Sequence, residues 1–139
     1  SSQDKIADFS VLRSFLTVEQ IKSGLDEEIY NYMNEIREHF PFAHQFSIAV
    51  HPPGTQINLH HDSDDFYKIH VPIYSNNRSL FIFEPKREYI LPDEGKMYLV
   101  NTSVKHGTKN NGDTNRVHLF FKIPHNKELD VLNMSDGVI

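Results

Sequence analysis

Residues 66–84 read FYKIHVPIYSNNRSLFIFE. Two runs rich in β-branched and aromatic residues, Phe66–Tyr74 and Ser79–Glu84, flank the turn residues Ser75-Asn76-Asn77. That texture predicts two strands joined by a short connection. The same texture extends in both directions. Gln45–Val50 and Thr55–His61 precede it; Arg87–Leu91, Lys96–Asn101, His106–Lys109 and Arg116–Ile123 follow it. The breaks fall at Pro52-Pro53-Gly54, Pro85, Pro92-Asp93-Glu94-Gly95 and Asn110-Asn111-Gly112-Asp113, where ring constraint or turn chemistry ends a strand.

The first third has a different period. From Val18, apolar residues recur at Ile21, Leu25, Ile29, Met33, Ile36 and Phe40, a three-to-four spacing that predicts one helix over about 17–40. Thr17 suits the N-cap, Glu19 favours the positive helix end, Gly24 weakens the middle and Pro41 stops the run. Glu27, Glu28, Glu35, Arg37 and Glu38 fall mostly off the apolar stripe and read as a solvated face. A long helix followed by eight short strands predicts a mainly β fold. Its form is a two-sheet sandwich or jelly roll with a core over about 45–123 and the helix packed on one sheet. With 139 residues and no linker or repeat, the chain reads as a single domain, 1–139. The polar tail after Pro124 reads as loosely held.

Composition removes several function classes. A net charge of −5 argues against a nucleic-acid or membrane-surface binder, since both need a dense basic face. No run approaches the ~20 apolar residues of a membrane span. The start SSQDKIADFS has neither a basic cluster nor an apolar core, so no signal peptide is expected and a cytoplasmic address is the default. Zero cysteines exclude thiolate metal sites and cysteine nucleophiles. Nine histidines are the compositional outlier.

His39, His44, His51 and His125 lie at a helix end or beside prolines and read as surface residues. His60, His70, His106 and His118 sit in or at the edge of strands. In His60-His61-Asp62 the alternation of a strand points His60 and Asp62 one way and His61 the other. A histidine and a carboxylate on one face can grip a metal ion from one side, and His106, 46 residues on, offers a third ligand. Two histidines and a carboxylate leave open positions for an oxo-acid and O₂, the arrangement of ferrous oxygenases. Zinc hydrolases share the ligand types, more often as His-x-x-x-His on a helix. Arg116 lies ten residues beyond His106 and opens the apolar strand RVHLFFKI. A cation there is costly unless an anion meets it, and its planar fork suits a carboxylate. Arg116, His118 and Phe120 share one face; Val117, Leu119 and Phe121 share the other.

The order His-x-Asp, His, then Arg about ten residues on resembles the Fe(II)/2-oxoglutarate-dependent dioxygenases. The closer likeness is to the aspartyl/asparaginyl β-hydroxylase-like branch, which includes bacterial free-proline hydroxylases. That branch carries P-G-T-x-x-x-x-H followed by R-x-H. This sequence has Pro53-Gly54-Thr55 with His60, then Lys68-Ile69-His70, then Gly95 through His106 and Arg116. The likeness spans roughly Phe46–Ile123. It implies a double-stranded β-helix (a cupin-like jelly roll) with His60, Asp62 and His106 holding Fe(II). It also implies that Arg116 binds the distal carboxylate of 2-oxoglutarate and that His70 touches this co-substrate. Lys68 stands where the branch has an arginine, and Ala49, two residues after Ser47, stands where it tends to have a serine. The aspartyl hydroxylases proper have a small residue two after the first histidine; Asp62 places this chain with the proline-hydroxylase-like members. The implied reaction consumes O₂ and 2-oxoglutarate, releases succinate and CO₂, and hydroxylates an amino acid or peptidyl side chain.

A cupin-like metal-binding or isomerase domain is the competing reading. It asks for His-x-His with a nearby Glu and for Pro-x-Gly-x-x-His, neither of which His60-His61-Asp62 or Gly95–His106 matches; a cupin has no set role for Arg116. A non-catalytic jelly roll is the third reading. Substrate-facing candidates are Asp64-Asp65-Phe66, Asn76-Asn77-Arg78 and His118. None of them selects a free amino acid over a peptide, and the oligomeric state has no signature.

Overall fold

The computed structural model describes residues 27–62, 66–84 and 86–139. The expected cap Thr17, the weak point Gly24 and the apolar positions Val18, Ile21 and Leu25 lie outside the described residues, as do Asp64 and Asp65. Helix α1 (Glu27–His39) is followed by strands β1 (His44–His51), β2 (Gln56–His60), β3 (Phe66–Tyr74), β4 (Ser79–Phe83), β5 (Arg87–Tyr89), β6 (Tyr98–Val100), β7 (His106–Asn110) and β8 (Arg116–Pro124). A 3₁₀ turn at His125–Lys127 leads into helix α2 (Glu128–Met134) and the short strand β9 (Gly137–Val138). The strands form two sheets, β1-β8-β3-β6-β9 and β2-β7-β4-β5. The fold is mainly β, a two-sheet jelly roll with α1 packed on the five-stranded sheet.

The apolar core does not lie between the sheets. Ile29, Met33 and Ile36 of α1, spaced four and three apart, bury against Ile48, Ile69, Val71, Leu119 and Phe121 on the outer face of the five-stranded sheet. Phe46 stacks on Phe121 with ring centroids 4.9 Å apart. Each such large apolar side chain contributes about 1.5–3 kcal/mol when fully buried. Helix α1 ends as Pro41 requires, with Phe40 donating to the Ile36 carbonyl at 2.7 Å. Arg37 does more than face solvent: its guanidinium lies 5.2 Å from the Phe46 ring centroid and covers the core edge.

Strand β8 is central, pairing with β1 on one side and β3 on the other. Its odd residues Val117, Leu119 and Phe121 enter the helix-side core. Its even residues Arg116, His118 and Phe120, all buried, face the four-stranded sheet. The inter-sheet space has only a small apolar cluster at one side, built on Phe81, Phe83, Leu91 and Val100. Polar groups occupy the rest. With the folding core placed outside, the interior is left free to carry a binding site.

The tail corrects an expectation. It is docked rather than loose: Val131 is fully buried, Met134 nearly so, and β9 pairs in parallel with β6. Asn101 donates to the Ile139 carbonyl at 2.8 Å and Ile139 to the Leu99 carbonyl at 2.9 Å. The sheet therefore extends past the 45–123 core. Among the described residues no helix is long and apolar enough to cross a membrane.

Candidate metal centre and anion pocket

Strands β2 and β7 bring two histidines face to face. Their register runs Gln56↔Lys109 and Ile57↔Thr108, then shifts so that His60 pairs with His106. Three residues of β2 advance against two of β7, which is a one-residue bulge that re-aims the end of β2. Gly107 permits the close approach: a Cβ there would collide with the Ile57 carbonyl oxygen. The bulge leaves Leu59 exposed and turns His60 toward the interior edge.

The two imidazoles and Asp62 form one cluster, with ligand atoms of His60, Asp62 and His106 all within 4.8 Å of one another. His60 Nε2 lies 3.2 Å from Asp62 Oδ1, and His106 Nε2 lies 3.6 Å from Asp62 Oδ2. The Nδ1 atoms point the other way, 2.8 Å from the Asn58 carbonyl for His60 and 2.8 Å from the Val104 carbonyl for His106. Each carbonyl can only accept, so each Nδ1 carries the proton and each Nε2 presents a lone pair. This is how ligating histidines are oriented, and the N₂O donor set fits a divalent first-row metal. The neighbouring His106 ring and the ammonium of Lys68, at 2.7 Å, hold the Asp62 carboxyl far below the ordinary carboxylate range despite its partial burial. Asp62 Nα donates to the Thr102 carbonyl at 3.2 Å, which fixes the chain beyond the bulge. His61, by contrast, is exposed and outside the cluster.

From this cluster a cavity runs inward between the sheets, bounded by Lys68, His70, Phe120, Phe81 and Thr108 and ending at Arg116. Arg116 is 4% exposed. Its Nε has no hydrogen-bond partner, and no carboxylate of the described residues pairs with its guanidinium. Burial alone pushes its pKa down from 12.5 to about 9. A buried guanidinium with no anionic partner among the described residues is able to receive one from a ligand. His70 and His118 flank it, joined Nδ1 to Nδ1 at 3.1 Å, so one donates and the other accepts and neither is charged. Burial, then the Arg116 charge, holds both well below 6.5.

The cavity thus gathers His60, Asp62, His106, Lys68, His70 and Arg116. His118 is displaced from the role of a substrate-facing residue: at 2% exposure it sits behind His70, against Phe81 and Arg116. Asn76 is likewise committed to structure, bonding Asn110 and Thr114. His51 corrects the surface reading. It is buried on β1 directly opposite Arg116 and lines the cavity, with Thr108 Oγ1 3.4 Å from its Nδ1. Burial and the nearby Arg116 charge push it down to about 3. Alternation from the inward-facing Ala49 was the available signal; the following Pro52-Pro53 masked it.

The family model described as aspartyl/asparaginyl beta-hydroxylase matches residues 27–126, most of the chain and the whole of the site. No curated protein matches. Solved structures with a similar course include a predicted oxalate decarboxylase from Thermotoga maritima, 18% identical over 64% of this chain and 73% of that one, with a TM-score of 0.46. A cupin domain from Bordetella pertussis is 21% identical over 57% of this chain and 79% of that one, with a TM-score of 0.48. The chain belongs to the aspartyl/asparaginyl β-hydroxylase family.

Proposed function

We propose that this protein is an Fe(II)- and 2-oxoglutarate-dependent dioxygenase. Its substrate is an amino acid or a peptidyl side chain of proline or aspartyl/asparaginyl type, and its by-products are succinate and CO₂. One observation carries the reading: a buried, unpaired Arg116 closes a cavity whose open end is His60, Asp62 and His106. A ligand suited to both ends has a carboxylate at one and metal-chelating oxygens at the other, which describes a 2-oxo dicarboxylic acid. A cupin-like metal-binding domain without oxygenase activity gives the buried guanidinium no task.

His60, Asp62 and His106 would hold the iron, which when bound supplies activation of O₂ for hydrogen abstraction and hydroxyl return. The protein's own groups do the positioning. Asn58 and Val104 carbonyls keep both imidazoles in the ligating tautomer. Lys68 steadies Asp62 and keeps a cation beside the near end of the co-substrate. Arg116 sets the position of the far carboxylate. Phe81 and Phe120 form apolar walls that exclude water, and neutral His70 offers a hydrogen bond without adding charge.

The test is a turnover screen of the Fe(II)-loaded protein with 2-oxoglutarate against free amino acids and peptides, scored by succinate and a mass gain of one oxygen. Substrate-dependent succinate with a matching oxidised product supports the reading. Metal-loaded protein that binds a panel compound yet never consumes 2-oxoglutarate contradicts it.

A further inference from the structure

Strands β3 and β8 place two lysines directly opposite each other, Lys68 against Lys122. Paired residues of an antiparallel ladder point to one face, here the face that carries His70 and Phe120 into the inter-sheet space. Like charges at such a position are destabilising. The two ammoniums diverge along the diagonals of the ladder. Lys68 leans inward, its Nζ 5.2 Å from the Phe120 ring centroid and 2.7 Å from Asp62 Oδ2. Lys122 leans toward the mouth, its Nζ 5.3 Å from the Phe66 ring centroid. His44, which pairs with Lys122 across β1 and β8, meets the same Phe66 ring with centroids 5.1 Å apart. The ring that carries the ammonium is thus itself held in place.

Lys68 is a partition. On its inner side lies the cavity that reaches Arg116; on its outer side lies a second hollow of about 220 Å³, lined by Asp62, Phe66, Lys68, Thr102 and Lys122. The charges of this hollow do not balance. Two ammoniums meet one carboxylate, and that carboxylate is already bonded to Lys68 and belongs to the metal cluster. Among the described residues no carboxylate lies within ion-pair distance of Lys122. A ring face positions an ammonium without neutralising it, so Lys122 is able to receive an anion in a hollow that borders a metal ligand. We propose that Lys122 binds a carboxylate of the primary substrate, seating it at the mouth beside Asp62 and selecting acids over their neutral amides. The proposal rests on the dioxygenase reading for the identity of the occupant. An amino acid or peptide offers that carboxylate from two sources, the α-carboxylate of a free amino acid or an acidic side chain.

The experiment reads binding beside the metal rather than turnover. The Mn(II)-loaded chain is saturated with 2-oxoglutarate, and the broadening that bound Mn(II) causes in the proton NMR signals of added probes is titrated. The probes are two pairs of acid and amide: L-proline with L-prolinamide, and N-acetyl-L-aspartyl methylamide with its asparaginyl counterpart. In wild type the acid of at least one pair is expected to bind about 10-fold more tightly than its amide, the worth of one hydrogen bond to a charged group. A preference in the proline pair assigns the carboxylate to a free amino acid; one in the aspartyl pair assigns it to a peptide side chain. Lys122→Gln should abolish the preference and Lys122→Arg should keep it. Affinity for 2-oxoglutarate should be unchanged in both, because Lys122 does not line the co-substrate cavity. Equal binding of acid and amide in both pairs, no broadening of any probe, or a preference that survives Lys122→Gln would overturn the proposal. Weakened 2-oxoglutarate binding in Lys122→Gln would also overturn it, since the lysine would then serve the co-substrate. Wild type that binds no 2-oxoglutarate contradicts the dioxygenase reading on its own. A Lys122-dependent preference on the Mn(II)-loaded chain alone would then still support the anion site, and its absence would overturn that too.

Discussion

The imidazole rings of His60 and His106 face each other across the β2–β7 ladder, centroids 4.5 Å apart, each anchored through Nδ1 to a carbonyl two residues earlier in the chain. The pairing depends on a bulge in β2 and on the missing side chain at Gly107. It leaves two Nε2 lone pairs converging on Asp62, the geometry from which the account of the site grows.

Asp62 is expected to be a ligand rather than a bystander. Asp62→Ala removes an ionised oxygen from the cluster and should lower Mn(II) or Fe(II) affinity by about 10-fold or more. Metal titration of wild type and variant checks this. Unchanged affinity with full 2-oxoglutarate turnover would mean that the two histidines suffice, as in the aspartyl hydroxylases proper.

His61 should be dispensable for metal. It is exposed and outside the cluster, so His61→Ala is expected to bind metal with wild-type affinity. A marked loss would place β2 one residue out of register, which reverses every side chain on it.

Arg116→Ala should weaken 2-oxoglutarate by about 1.5–3 kcal/mol, the range of charge-assisted hydrogen bonds, roughly 10- to 100-fold in Kd, with metal affinity almost untouched. Arg116→Lys should restore only part of it, because the ammonium loses the planar fork. Equal 2-oxoglutarate binding by wild type and Arg116→Ala would show that the deep end of the cavity has been assigned the wrong ligand.

Much of this is legible in the sequence. The faces of β8 follow from strict alternation, so Arg116 and His118 could be separated from Val117, Leu119 and Phe121 by counting. His60, Asp62, His106 and Arg116, singled out in the sequence by the family resemblance, all line one cavity. What escaped depended on contacts across elements. Alternation from the inward-facing Ile57 would bring Leu59 and His61 inside; the bulge, set by β7 pairing, brings His60 instead. His51 looked like a turn residue until β1 was laid beside Arg116. Helix α2 carries little signal, because only two apolar anchors, Val131 and Met134, hold its seven residues and the other five are polar or exposed.

The buried imidazoles predict acid lability. His51, pushed down to about 3, and His118, held well below 6.5, stay neutral in the fold, whereas the unfolded chain protonates them near 6.5. Below that pH the unfolded state binds more protons, so stability rises with pH through the interval and falls as acid is added. The loss should approach about 1.4 kcal/mol per pH unit for each group. Denaturant unfolding of the metal-free protein from pH 7 down to about pH 5 measures it, with His51→Gln showing a shallower slope. A flat profile across that range would contradict the burial of these neutral rings.

The central claim is that one cavity takes a metal at His60, Asp62 and His106 and a 2-oxo dicarboxylate reaching to Arg116. The most direct measurement is the visible absorption spectrum of the Fe(II)-loaded protein, titrated with 2-oxoglutarate in the absence of O₂. Chelation of Fe(II) by a 2-oxo acid produces a charge-transfer band. The band is expected to appear saturably in wild type, to need far more 2-oxoglutarate in Arg116→Ala, and to be absent in His106→Ala. Iron-loaded wild type that develops no band at saturating 2-oxoglutarate, or a band that persists unchanged in His106→Ala, would contradict the account.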